Sequence, residues 1–216
     1  MQMSLFQLEP LPSEDPPPTV RDYIFPSDNE WGVPTLDPAL QVEVTPTQFT
    51  KWGTVGRTHQ LTGCIHFYTD DYKFSALWKN PMPVVKSGCS AIVEPNYSQN
   101  PDMPAVKVLD RIYNKRWLAR FWQTYGIRVL VDLNVEREFF DIALLGVPIG
   151  WMAYANRVTK GDLNHLFEAY ELARTRAGRE VLYVVYGGGA SAQKICMEKG
   201  WHWYPEDMWK RIKRHG

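Results

Sequence analysis

Two adjacent carboxylates, Asp70 and Asp71, follow the aromatic run "CIHFYT", and later apolar runs also close on acids: Glu94 in "SAIVEP" and Asp132 in "IRVLVDL". Carboxylates gathered on one rim are the donor set for a hard divalent cation, Mg²⁺ or Mn²⁺, which prefers oxygen and needs few protein ligands. On this reading Asp70, Asp71 and Glu94 hold the metal, His66 adds a nitrogen, and Asp132 joins the three acids as catalytic residues. Each has a structural alternative. Asp71 fits the cap of a following helix, Asp70 and Glu94 fit ion pairs with Arg or Lys, and His66 fits a core histidine inside a strand.

The run "VVYGGGAS" places Gly187, Gly188, Gly189 and Ser191 where a buried strand gives way to a helix. Backbone amides there can cradle a phosphate. The spacing matches neither GxGxxG nor a GKS/GKT ending, and a tight turn explains the glycines equally well. Asn96, Ser98, Asn134 and Asn156 are further polar residues at strand ends and belong to the same binding reading. In the segment 103–126, Tyr113, Trp117, Phe121 and Tyr125 recur every four residues and face a core. Lys107, Arg111, Lys115, Arg116 and Arg120 cover much of the rest. Basic side chains beside aromatics are a way to hold a nucleic-acid backbone, with Arg111, Arg116 and Arg120 as the binding residues. The alternative is a solvated face whose arginines reach rim carboxylates. The ending "WKRIKRHG" adds Lys210, Arg211, Lys213 and Arg214. No GxSxG elbow or HExxH motif is present, and His59, His66, His165, His202 and His215 are scattered, so covalent nucleophilic catalysis has no support.

The elements that must position these residues alternate. Short runs ("QVEV", "CIHFYT", "SAIVEP", "IRVLVDL", "WMAYAN", "VLYVVYG", "WHWYPE") read as strands, and the segments between them have helical period. That alternation predicts βα units on a parallel sheet, with "VLYVVYG" buried on both faces. The fold class is therefore α/β, a small or incomplete (β/α) barrel, with an open doubly wound sheet as the alternative. In either form the loops at the carboxyl ends of the strands make the functional face. Asp162 caps a helix that Gly178 ends, and its apolar positions Leu163, Leu166, Phe167, Tyr170 and Ala173 share one face. Residues 1–32 read as a proline-rich, partly loose arm whose second half, with Tyr23, Phe25 and Trp31, lies against a single domain over 33–216.

Balanced charge, 24 basic against 24 acidic residues, excludes an overall field that steers the chain to nucleic acid or membrane. Three cysteines without a CxxC pair exclude a disulfide framework or a thiolate zinc site. No apolar run approaches the roughly 20 residues that span a bilayer. The N-terminus makes a poor signal peptide, so the expected setting is intracellular.

Several stretches together, "HFYTDDYKFSALWKNP", "EPNYSQNPDMP", "RIYNKRWLARFWQTYGIRVL", "LLGVPIG" and "VVYGG", resemble an uncharacterised family of bacteria, phages and other mobile elements, domain of unknown function 4417. The likeness runs over 33–188 and includes the pair Asp70–Asp71, then Phe74 and Trp78, the run Asp102 to Pro104, and Arg116. Where the family tends to read Pro-Asp-Phe-Ser, this chain has Pro95, Asn96, Tyr97 and Ser98, and an amide is no base or strong metal ligand. The resemblance implies a phage or mobile-element origin, a host-cell cytoplasmic setting, and a role in replication, host takeover or defence evasion. It implies no reaction, so whether the chain is an enzyme stays open. The first functional expectation is a protein that binds nucleic acid or a host factor. The second is a metal-dependent enzyme acting on a phosphate-containing substrate at the strand ends, and the third an adaptor that docks a partner through the proline-rich arm.

Overall fold

Short runs buried at nearly every position form the strands, with successive side chains facing opposite sides of the sheet. A computed structural model describes residues 24–53, 63–158 and 162–206. The proline-rich stretch before residue 24, the basic ending with Lys210, Arg211, Lys213 and Arg214, and His59 and His215 lie outside these residues.

Seven strands follow one another across the sheet in chain order, and every neighbouring pair is parallel. They are β1 (Phe49–Lys51), β2 (Cys64–His66), β3 (Ala91–Val93), β4 (Arg128–Asp132), β5 (Ala153–Val158), β6 (Leu182–Gly187) and β7 (His202–Tyr204). The helices between them are α1 (Met82–Lys86), α2 (Ala105–Gln123), α3 (Phe140–Ala143), α4 (Leu163–Ala177) and α5 (Gly189–Lys199). The sheet curls into a nearly closed barrel. At its seam Phe49 of β1 stacks on Tyr204 of β7 at 4.5 Å, and the Tyr204 hydroxyl donates to the carbonyl of Pro46.

Alternation along the strands gives two cores. Cys64, Ala91, Val93, Leu130, Ala153, Ala155, Val184 and Tyr186 cluster with no helix residue among them, which places them inside the barrel. Their neighbours Ile65, Ile92, Val129, Val131, Tyr183 and Val185 meet Trp117, Phe121 and Trp122 of α2, Leu166 and Ala173 of α4, and Ala192 and Cys196 of α5.

Local details depart from the periodicity. "QVEV" forms no strand: Gln41 makes an isolated bridge with Val129, and Val42 donates its N–H to that residue's carbonyl. The Gln41 side chain accepts from the Met152 N–H and its carbonyl accepts from Arg128, so these residues close the barrel floor. The segment after β2 forms two 3-10 turns, Asp71–Lys73 and Ser75–Trp78. Its buried Phe74 and Leu77 are three residues apart, the spacing a 3-10 turn stacks. On α2, Trp117 and Phe121 are buried and Tyr113 is half-buried, while Tyr125, in the turn after the helix, is exposed. Ahead of β1, Phe25 lies on Trp117 at 5.4 Å, and Trp31 is exposed.

Candidate functional site

The barrel's carboxyl end is filled by inward side chains that continue the strand alternation. His66 ends β2, and its ring stacks on Phe49 at 4.4 Å and tilts against Tyr186 at 4.5 Å. Tyr68, one step higher, stacks on Tyr186 at 5.3 Å and donates its hydroxyl to Asp132 at 3.1 Å. Burial and the adjacent Asp132 carboxylate push the Tyr68 phenol up, so it keeps its proton and acts as the donor. Burial, then the charges of Lys51 and Arg157, holds the His66 imidazole well below its ordinary value. The ring is neutral. Its Nδ1 accepts from the Tyr68 backbone N–H at 3.4 Å, which leaves the ring proton on Nε2.

The four acids read from the sequence each hold a different partner. Glu94 is fully buried against the guanidinium of Arg116, and its other oxygen accepts from the Asp132 N–H at 3.2 Å. Arg116 also donates to the carbonyls of Leu145 (2.9 Å) and Ala143 (3.0 Å), so it ties α2 to the α3 loop and offers no exposed surface to a phosphate. Asp132 receives Lys115 of α2 at 3.3 Å. Asp70 stands at the start of the 3-10 turn without a side-chain cap bond and pairs with Lys73 at 2.8 Å. Asp71 makes no cap but accepts from both the backbone N–H and the hydroxyl of Ser98, at 3.1 and 2.8 Å. It ties the loop after β2 to the loop after β3. Among the described residues no three His, Cys, Asp or Glu side chains converge as a metal-ligand set. The acids do not fit a metal centre.

What occupies the middle of the mouth is Arg157, inward on β5. Its charge is felt at His66, Tyr68 and Asp70, and Glu206 after β7 approaches it at 3.6 Å. Its Nε is buried without a hydrogen-bond partner among the described residues. Beside it opens a polar cleft of about 110 Å³ lined by Gln99, Asn134, Glu136, Arg157, Asp162 and His165. Asn134 donates to Asn96 at 2.9 Å, which fixes the cleft wall.

The glycine turn adjoins this centre. A Cβ on Gly187 would stand 3.0 Å from Glu206 Oε1, and one on Gly188 would stand 2.7 Å from Val158 Cγ1. Close packing therefore accounts for these two, while Gly189 and Ser191 lie exposed at the start of α5. Asn156 points to the outer layer and donates to Tyr183 at 3.2 Å, away from the mouth. Arg120 lies over the Phe25 ring, and Arg111 is half-buried with Nη1 lacking a partner among the described residues. Sequence reading passes over Gln99, Glu136, Asp162 and His165 as cleft residues, because only the juxtaposition of three loops gathers them. Arg157, directly after a strand's apolar core, is the one signal that could mark the place.

With this geometry in hand, likeness to known proteins fixes the lineage. The sequence profile of the family described as domain of unknown function 4417 matches residues 25–175. The chain belongs to that family. It is also similar to the "Gene 1 protein" of Mycobacterium phage D29, with 30% identity over 133 residues, 58% of this chain and 48% of that protein. A second relative, the "Gene 1 protein" of Mycobacterium phage L5, is 26% identical over 132 residues, 58% of this chain and 56% of that protein. The chain thus spans about half the length of these phage relatives. No solved structure matches it. No helix among the described residues is long and apolar enough to cross a membrane.

Proposed function

We propose that the chain binds a phosphate-bearing ligand at the carboxyl mouth of its barrel, with Arg157 as the anchoring cation. The observation that carries this reading is the Arg157 Nε, buried and without an acceptor among the described residues. The buried Nε has lost hydration with no return, Glu206 reaches only one terminal nitrogen at 3.6 Å, and phosphate oxygens match the planar fork of the half-exposed guanidinium. Lys51, opposite His66 in the sheet register, adds a second positive charge at this level. Gly189 at the start of α5 favours the same sign of ligand.

A metal-dependent reaction has less support, since Glu94 and Asp132 are committed to Arg116 and Lys115. Nucleic-acid or host-factor binding across α2 also loses ground: Lys115 and Arg116 turn inward. A nucleotide-sized ligand suits the cleft better than a duplex backbone does.

The test compares wild type with Arg157→Met in thermal unfolding and calorimetric titration against inorganic phosphate, nucleoside monophosphates and a 5′-phosphorylated single-stranded oligonucleotide. The wild type gains stability with at least one phosphate compound and the variant gains none. If no compound moves the wild type, or both proteins respond alike, the reading fails.

A further inference from the structure

The cleft beside Arg157 has a composition that a bare phosphate does not satisfy. Arg157 contributes one positive charge to the lining, while Glu136 and Asp162 contribute two negative ones. Among the described residues the Glu136 carboxylate has no hydrogen-bond or ion-pair partner. Asp162 uses only one oxygen, Oδ1, to receive the His165 N–H at 3.0 Å and Arg137 at 3.0 Å. The His165 N–H beside that carboxyl holds it below the usual carboxylate range, so it is an acceptor. His165 donates from Nε2 to the Val135 carbonyl at 2.7 Å, which leaves Nδ1 as the ring nitrogen open to a ligand. Asn134 spends one of its two amide N–H groups on Asn96 and keeps the other together with its oxygen. The donors lining the cleft are the Arg157 guanidinium, the second Asn134 amide N–H and the Gln99 amide, whose oxygen already accepts the Glu136 N–H at 3.2 Å.

We infer that the ligand is a phosphate ester of a polyhydroxyl compound, a sugar phosphate in free form or as part of a nucleotide, with the sugar hydroxyls in this cleft. The inference rests on the phosphate reading of Arg157 given above. Hydroxyls both donate and accept, which satisfies the surplus carboxylate, amide and imidazole acceptors together with the Gln99 amide. An ammonium group would only donate. Size agrees as well. At about 110 Å³ the cleft is small, which suits a compact polyol. Anything larger attached to the sugar extends over the rim.

Calorimetric titration of the full chain with ribose 5-phosphate, ribose, inorganic phosphate and O-phosphoethanolamine tests this. Wild type binds ribose 5-phosphate at least tenfold more tightly than inorganic phosphate. Glu136→Gln, which breaks no ion pair, narrows that ratio to threefold or less and leaves the affinity for inorganic phosphate unchanged. Asp162→Ser, which keeps a cap for α4, does the same by a second route. Arg157→Met loses both ligands. Equal affinity of wild type for ribose 5-phosphate and inorganic phosphate overturns the sugar inference and leaves the Arg157 site standing. Tighter binding of O-phosphoethanolamine than of ribose 5-phosphate overturns it in favour of a zwitterion. Absence of binding by every phosphate compound overturns both this inference and the reading beneath it.

Discussion

Replacing Arg116 by Met separates a structural role from a functional one. Both Arg116 and Glu94 are fully buried, and the guanidinium holds the Glu94 carboxylate and the Leu145 and Ala143 carbonyls. Removing one member of a buried pair leaves an uncompensated charge and costs about 3–5 kcal/mol. The two freed carbonyls act in the same direction, but their costs overlap with the first, so we expect about 4–5 kcal/mol in all. For a chain of this length each 1 kcal/mol lowers Tm by about 2–4 °C, giving a fall of about 8–20 °C. That is a large share of the roughly 5–15 kcal/mol that holds a domain together. Urea unfolding followed by circular dichroism measures it, with Glu94→Gln and the double variant completing a cycle. The double variant should recover about 1–3 kcal/mol relative to the sum of the single changes. An Arg116→Met protein within about 1 kcal/mol of wild type would show that the pair does not support the fold, and Glu94 would return as a candidate site residue.

Other outcomes follow from the same packing. Gly146→Ala should cost at least about 3 kcal/mol, because Gly146 has φ +71° and a Cβ there would lie 2.1 Å from the Pro34 carbonyl oxygen; an unchanged unfolding midpoint refutes this. Tyr68→Phe removes a donor from buried Asp132 and should cost about 1–3 kcal/mol, with the far-ultraviolet spectrum intact. His66 is held neutral in the fold by burial and by the charges of Lys51 and Arg157. The unfolded imidazole takes up a proton near pH ~6.5 and the folded one does not, so stability is full above that pH and falls below it by up to ~1.4 kcal/mol per unit. Urea midpoints between pH 8 and 5 measure the slope. Retention of the whole slope in His66→Phe would assign it to other groups. Arg157→Met, in contrast, should change the stability of the unliganded protein by less than about 1 kcal/mol, since its Nε makes no bond to lose and its ion pair with Glu206 is long and half-exposed.

Much of the architecture is legible in the chain. Consecutive apolar runs such as "VLYVVYG" demand burial on both faces, and the segments between them have the length and period of helices, which leaves a parallel sheet with its polar residues at one end. Asp162 does cap α4, accepting the His165 N–H at 3.0 Å, and Gly178 closes it. The run "WHWYPE" contains β7. The misses have local causes. The strand at Phe49–Lys51 has only three residues and no clear alternation, so its pairing with β2 defines it. On α2 the reading in which arginines reach rim carboxylates holds for Arg116 and Glu94, but helical period could not show that this pair, and Lys115 with Asp132, would be fully buried.

The sequence by itself determined that this chain makes parallel βα units and delivers acids, amides and glycines to the strand ends, because periodicity and burial are properties of neighbouring residues. Only the tertiary structure decided which of those polar groups neutralise one another and which remain open. Glu94 and Asp132 are spent on partners that stand 22 and 17 positions away. Arg157 keeps an unused donor beside a cleft built from three loops. Pairing depends on distance in space, and curling the sheet into a barrel sets those distances.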